Sequence, residues 1–291
     1  MRRILPYIML LALACSCATA RYAAGPKTDE ILAISGYDGI IEAVTYPCSE
    51  PDLTERRMVV YLPASYYEDT LRRYPVMYLL HGARGNEITW HEYGDAFHRL
   101  DSLRRLGLAG DFILVQPNLN NYRDDRDYKD GRPVPAVRAF WLLDGEAETY
   151  FHKDILERVD SLYRTVPGKE GRAIAGMSSG ALQALYLSAS HPDTFDYVGL
   201  FSPYTRTTFA AWGNKEVYGN LWRRLDAQFR TPPAMFAIYI GKTDIFYPHI
   251  KAFERRLSRK GYPHRFVTAE GGHEWYNWTD FLEDFYRTAF K

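Results

Sequence analysis

Gly176-Met177-Ser178-Ser179-Gly180 stands at the junction of two unlike stretches. Before it, Arg172-Ala173-Ile174-Ala175 is a short, mostly apolar run of strand type; after it, residues 179–190 carry apolar side chains over the length of a helix. A serine between a strand and a helix, with glycines two residues before and two after, is the pattern of a nucleophile elbow. The turn is so tight that a side chain at either glycine would strike the neighbouring strand or helix. The hydroxyl then stands at a helix N-terminus, where the dipole favours developing negative charge. Ser178 is the expected nucleophile. Ser179 is the neighbour whose backbone N–H is needed to hold an oxyanion.

Working outward, the same alternation recurs along the chain. Short apolar runs at 57–63, 75–80, 112–115, 173–175, 197–201, 235–240 and 265–269 have the character of strands, several of them apolar throughout as if buried on both faces. Amphipathic stretches of helical length lie between and after them, at about 92–106, 148–164, 179–190, 248–260 and 275–290. Strands alternating with helices imply an α/β fold, with a mostly parallel central sheet and helices on both faces. One domain over residues 36–291 is expected. Residues 118–146 break the rhythm, being polar and without period. So long an insertion after a central strand is expected at the carboxyl edge of the sheet, as a binding loop or lid.

A serine is a poor nucleophile without a base, and the base needs a carboxylate to hold it. In the order serine, acid, histidine, four histidines follow Ser178: His191, His249, His264 and His273. His191 ends a helix before Pro192, His249 sits early in a helix and His264 starts a strand. His273 lies in Glu270-Gly271-Gly272-His273-Glu274-Trp275, a glycine loop between a strand and the last helix, and is the expected base. Asp244 follows the buried run 235–240 through Gly241-Lys242-Thr243, so it falls at a strand's carboxyl end on the same edge. It is the expected acid, although an aspartate there also suits a helix N-cap. Asp193, Asp196, Asp280 and Asp284 fit worse, lying too soon after the nucleophile helix or beyond the histidine.

His81-Gly82-Ala83-Arg84-Gly85-Asn86 follows the buried run that ends at Leu80. That is where a second oxyanion donor belongs, and the Ala83 amide is best placed to supply it. Arg84 meets an anionic substrate group or is simply solvated. Trp275 is the other residue expected to contact substrate, and His81 is expected to pack the loop. No metal and no cofactor are expected: the His91-Glu92 pair has its next histidine at His98, seven residues on where a zinc helix needs four, and there is no C-x-x-C pair, phosphate loop or dinucleotide fingerprint.

In the 291 residues, 36 Lys and Arg balance 36 Asp and Glu, which argues against a nucleic-acid partner. With 46% hydrophobic and 25% charged residues, a disordered chain is excluded. Arg2 and Arg3 followed by an apolar run from Ile4 to Ala14 have the form of a signal peptide over residues 1–20, too short for a transmembrane span. Ala18-Thr19-Ala20 offers a cleavage site, while Cys15 and Cys17 are also compatible with a lipid anchor. Export is expected on either processing route, and residues 21–35 are expected to be loose. Only Cys48 lies beyond the leader, so no internal disulfide can form.

Four stretches together resemble the esterase branch of the α/β-hydrolases that includes feruloyl and acetyl-xylan esterases, esterase D and the mycolyltransferases. They are Arg73-Tyr74-Pro75-Val76-Met77-Tyr78-Leu79-Leu80-His81-Gly82, Asn86-Glu87-Ile88-Thr89-Trp90, Ala175-Gly176-Met177-Ser178-Ser179-Gly180, and Gly271-Gly272-His273-Glu274-Trp275 with Trp278. Glu148-Thr149-Tyr150 also matches. The resemblance spans roughly residues 36–291 and implies an α/β-hydrolase fold. It also implies a Ser178–Asp244–His273 triad and oxyanion donors at Ala83 and Ser179. Arg84-Gly85 and Ala181 depart from the usual glycines, which bears on pocket shape. The activity implied is serine carboxylester hydrolysis, with acetyl or feruloyl groups on polysaccharide as the expected carbohydrate-linked ester substrate. Acyl transfer to a sugar or lipid alcohol, hydrolysis of a small thioester or siderophore ester, and non-catalytic glycan binding are the alternatives. Oligomeric state has no signature in the sequence.

Overall fold

Strands of this chain alternate their side chains between two apolar layers, and that alternation organises the molecule. The computed structural model describes residues 36–50, 53–83, 85–119, 128–129, 132–133, 145–205 and 215–291. An eight-stranded sheet is formed by β1 (Ile40–Pro47), β2 (Glu55–Leu62), β3 (Val76–Leu80), β4 (Ile113–Pro117), β7 (Arg172–Met177), β8 (Tyr197–Phe201), β9 (Met235–Gly241) and β10 (Arg265–Ala269). Their order across the sheet is β1-β2-β4-β3-β7-β8-β9-β10. β2 is antiparallel to both β1 and β4, and every pair from β4 to β10 is parallel. This is the α/β-hydrolase arrangement that the sequence implied.

One face of the sheet carries Val60, Tyr78, Val115, Ile174, Val198 and Ile238. The other carries Val59, Met77, Leu114, Ala175, Phe201 and Tyr239. Against the second face pack α1 (Thr89–Gly94), α2 (Ala96–Arg105) and, from the far end of the chain, α9 (Trp275–Thr288). The first face is covered by α3 (Glu146–Tyr150), α4 (Glu157–Leu162), α5 (Ser179–Ser190), α7 (Leu221–Gln228) and α8 (Tyr247–Arg259), with α6 (Lys215–Tyr218) beside them.

Four details depart from the sequence-based expectations. β1 was not expected: it is an edge strand with a half-exposed pattern, paired on one side only, so no apolar run marks it. The helix expected at 92–106 is two helices, broken at Asp95, which takes a left-handed conformation with φ 50°. The helix expected at 148–164 contains a wider-wound segment, Phe151–Leu156, which keeps Phe151, Ile155 and Leu156 all buried. The short α6 and α7 had no anticipated counterpart. Within the insertion at 118–146, a small antiparallel ladder pairs β5 (Tyr128–Lys129) with β6 (Arg132–Pro133); residues 120–127, 130–131 and 134–144 of that loop, the leader, residues 21–35 and Arg84 lie outside the described residues. Among the described residues, no helix is long and apolar enough to cross a membrane.

Candidate active site

The elbow is strained as its sequence requires. Ser178 joins β7 to α5 with φ 54° and ψ −114°, a region that side-chain-bearing residues rarely enter. Its own N–H donates to the Phe201 carbonyl on β8 at 2.9 Å, which fixes the turn against the next strand. A Cβ on Gly176 would stand 2.6 Å from the Gly180 backbone, so the two glycines close on each other. Ser178 itself is largely buried.

Two other strand ends bring the partners. Asp244 lies three residues past β9, with its side chain wholly buried. One carboxylate oxygen accepts the Phe246 N–H at 2.8 Å; the other accepts from His273 Nδ1 at 2.9 Å. The helix that follows takes Phe246 as its N-cap, so Asp244 is not that cap. His273 is carried by the loop between β10 and α9, where Gly271 takes φ 85° to make the turn. Asn277 on α9 ties this loop down by donating from Nδ2 to the Gly272 carbonyl at 2.9 Å. With Nδ1 donating to the carboxylate, Nε2 is left as an acceptor, and Ser178 Oγ stands 3.0 Å from it. The imidazole is flanked edge-on by Phe246 at 5.2 Å and Trp278 at 4.9 Å.

The alternatives weighed from the sequence have other partners. Asp284 accepts from Tyr239 and Arg265, Asp196 accepts the Ala234 N–H, and His264 bonds the Tyr262 carbonyl. His91 is bonded to Tyr37, and among the described residues no group of three His, Cys, Asp or Glu could hold a metal ion.

Ala83 and Ser179 come from adjacent strand ends, β3 and β7. Ser179 opens α5, and neither amide finds a hydrogen-bond acceptor among the described residues. Behind Ala83, His81 is buried with both ring nitrogens engaged. Nε2 accepts the Leu119 N–H at 3.1 Å, so Nδ1 carries the proton and donates to the Gly82 carbonyl at 2.8 Å. Burial pushes this imidazole down to about 4, and the ring is a neutral strut between the Gly82–Ala83 loop and the exit of β4. Trp90 Nε1 donates to the Leu80 carbonyl at 2.9 Å from the opposite side.

Such an arrangement can polarise a hydroxyl toward a carbonyl carbon and offer two amides to the oxygen that becomes negative. Trp275 lies two residues beyond His273, but Trp278 stands between the two rings and Tyr93 is stacked on Trp275. Sequence reasoning missed Tyr93, Phe246 and Asn277. Spacing alone could have found Tyr93, which stands three residues after Trp90 and so on the same helical face.

Comparison with known proteins follows the same lines. The family model described as "Putative esterase" matches residues 53–287. An endo-1,4-beta-xylanase/feruloyl esterase of Xylanibacter ruminicola is 28% identical over 258 residues, covering 87% of this chain and 32% of that protein. The chain thus spans about a third of the length of the curated relative it matches. Among solved structures, a ferulic acid esterase of Anaeromyces mucronatus in complex with ferulic acid superposes with a TM-score of 0.70 at 24% identity, covering 88% of this chain and 92% of that one. An S-formylglutathione hydrolase of Staphylococcus aureus gives 0.68 at 17% identity, covering 89% and 99%. These structural likenesses establish the shared α/β-hydrolase fold, and the family model spans most of the chain: the protein belongs to the esterase family.

Proposed function

We propose that the protein hydrolyses acetyl or feruloyl esters carried by polysaccharide, through Ser178, His273 and Asp244 and an acyl-enzyme. The observation that carries this reading is the unbroken hydrogen-bonded chain from Asp244 through His273 to Ser178, set at a strained elbow. Ser178 Oγ attacks the ester carbonyl carbon while its proton passes to His273 Nε2. The carbonyl oxygen becomes an oxyanion and is met by the Ala83 and Ser179 amides. Collapse breaks the bond to the leaving oxygen, which takes the proton from Nε2 and departs as alcohol. Water, deprotonated by the same nitrogen, then attacks the acyl-serine; the acyl–Oγ bond breaks, Ser178 Oγ takes the proton back from Nε2, and the acid leaves. Asp244 orients the imidazole and stabilises its charged form without taking a proton.

The choice of acyl group leans on the feruloyl esterase of X. ruminicola and the ferulate-bound structural neighbour. In this reading residues 1–20 export the chain, with a lipid anchor at Cys15 or Cys17 as the other processing route. Residues 36–291 are the esterase domain, and Arg84 and Trp275 are the substrate-binding residues of this reading. Hydrolysis of aryl acetate, acetylated xylan and feruloylated arabinoxylan by wild type and Ser178→Ala tests it. Activity on the xylan esters that disappears in the variant is the expected result. Activity that survives the substitution, or wild-type activity confined to the aryl acetate, overturns it.

A further inference from the structure

The base that takes the serine proton must return it to the leaving oxygen, so the alcohol half of the ester departs past His273. Beyond that ring lies a packed series of aromatic side chains, in which Trp90 and Trp278 are buried and Tyr93 reaches solvent. On α1, Trp90 and Tyr93 stand three residues apart and share a face; at the start of α9, Trp275 and Trp278 do the same. The two pairs interlock. From His273 the contacts run to Trp278 at 4.9 Å, from Trp278 to Trp275 at 5.3 Å, and from Trp275 to Tyr93 at 5.5 Å. The first two are edge-to-face, and the last is stacked with the ring planes at 23°. Trp90 braces Trp275 at 5.4 Å and is itself held by the Leu80 carbonyl.

Tyr93 is the end of this series and is 43% exposed. With one face laid on Trp275, what it presents to solvent is its other face and edge. Its setting is fixed from below: a Cβ on Gly94 would stand 3.1 Å from Trp90 and 3.2 Å from Trp275, so the helix end sits hard against both indoles. An immobilised aromatic face costs little entropy to use in binding. Its electron-rich surface suits the row of C–H bonds on one face of a sugar ring, burying apolar area while the hydroxyls stay in water.

Resting on the esterase reading above, we propose that Tyr93, backed by Trp275, is a carbohydrate subsite for the leaving-group side of the substrate. Three ring contacts separate Tyr93 from the imidazole, with two whole indoles between them. The ring therefore meets a sugar farther along the chain, so the ligand class is an oligosaccharide or polysaccharide and not a single glycosyl unit. The acyl group, held at Ser178 and the oxyanion amides, lies on the other side of the scissile bond and does not reach it.

The test compares kcat/KM for a feruloylated arabinoxylo-oligosaccharide with that for methyl ferulate, in wild type, Tyr93→Ala and Tyr93→Phe. The ratio of the two values is expected to fall about tenfold in Tyr93→Ala, mainly through KM, and to be retained in Tyr93→Phe. A merely structural role would lower both values together and leave the ratio unchanged, which overturns the proposal. Titration of wild type with unesterified xylohexaose separates this from the esterase reading. Binding that weakens severalfold in Tyr93→Ala supports the subsite even where no feruloyl ester is cleaved. Binding that is absent, or equal in the two proteins, rejects the subsite even where the esterase is active.

Discussion

A Cβ placed on Gly180 would lie 2.3 Å from the carbonyl oxygen of His81 and 2.6 Å from that of Leu80. The first turn of α5 is therefore seated directly on the backbone that leads into Ala83. This contact sets the spacing between the Ser179 and Ala83 amides, and backbone atoms cannot swing aside as a flexible side chain would. Gly180→Ala should push the helix start away from the loop and widen the oxyanion site. On the esterase reading, kcat falls by about 10²–10³, as for loss of one oxyanion donor, and the melting temperature drops as well. Steady-state kinetics beside a thermal melt checks this. A variant with wild-type kcat would show that the spacing of the two amides is not set here.

Asp244→Asn keeps an acceptor for the Phe246 N–H, so the turn before α8 should persist. Its amide can, however, donate to His273 Nδ1 and favour the wrong tautomer, leaving Nε2 protonated and unable to accept from Ser178. The expected cost is about 10⁴ in kcat, with little change in stability. The rate of covalent labelling by a serine-directed phosphonate should fall in parallel. A loss of only tenfold would sink the orienting role.

The sequence made the centre of the molecule legible because burial and mechanism both act locally there. Strands apolar on both faces, such as Val76–Leu80 and Met235–Gly241, announce themselves without reference to partners. Ser178 and Asp244 each follow such a strand and His273 follows the edge strand Arg265–Ala269, so their common edge could be inferred before any contact was seen. What stayed hidden depends on tertiary partners. β1 has an edge strand's mixed pattern, and the break at Asp95 arises where α1 and α2 pack on α9 beneath the aromatic cluster. The tautomer of His81 is fixed by Leu119, 38 residues away. Trp275 is expected from the sequence to contact substrate, and only the fold reveals that Tyr93 covers it.

His81 also gives the protein an acid limit. Its folded value of about 4 lies below the ordinary 6.5, chiefly because burial penalises the charged ring. Below 6.5 the unfolded chain takes up a proton that the native state refuses. The stability contributed by the neutral ring is therefore complete above pH 6.5 and is lost as pH falls toward 4. The loss is on the order of 3 kcal/mol across that window. His81→Asn retains a donor for the Gly82 carbonyl but has no group that titrates there. Urea unfolding at pH 7 and pH 4.5 should show wild type losing about 2 kcal/mol more stability than the variant between the two conditions. Equal losses would mean that His81 is protonated in the native state.

Arg56 and Glu50 form a buried, two-pronged ion pair behind the exit of β4, 6% and 8% exposed. Nε and Nη2 of the arginine donate to the two carboxylate oxygens, and Nη1 donates to the Asn118 carbonyl at 2.9 Å. Asn118 in turn donates from Nδ2 to the buried Glu87. Removing only the arginine, as in Arg56→Met, leaves Glu50 buried beside an apolar side chain and should cost about 3–5 kcal/mol. Replacing both, in Arg56→Met with Glu50→Leu, removes the uncompensated charge and should recover most of that loss. The remainder reflects the Asn118 carbonyl, which keeps no guanidinium. Denaturant unfolding of the two singles and the double yields the coupling directly. A double variant whose loss equals the sum of the two single losses would mean that the pair is not coupled.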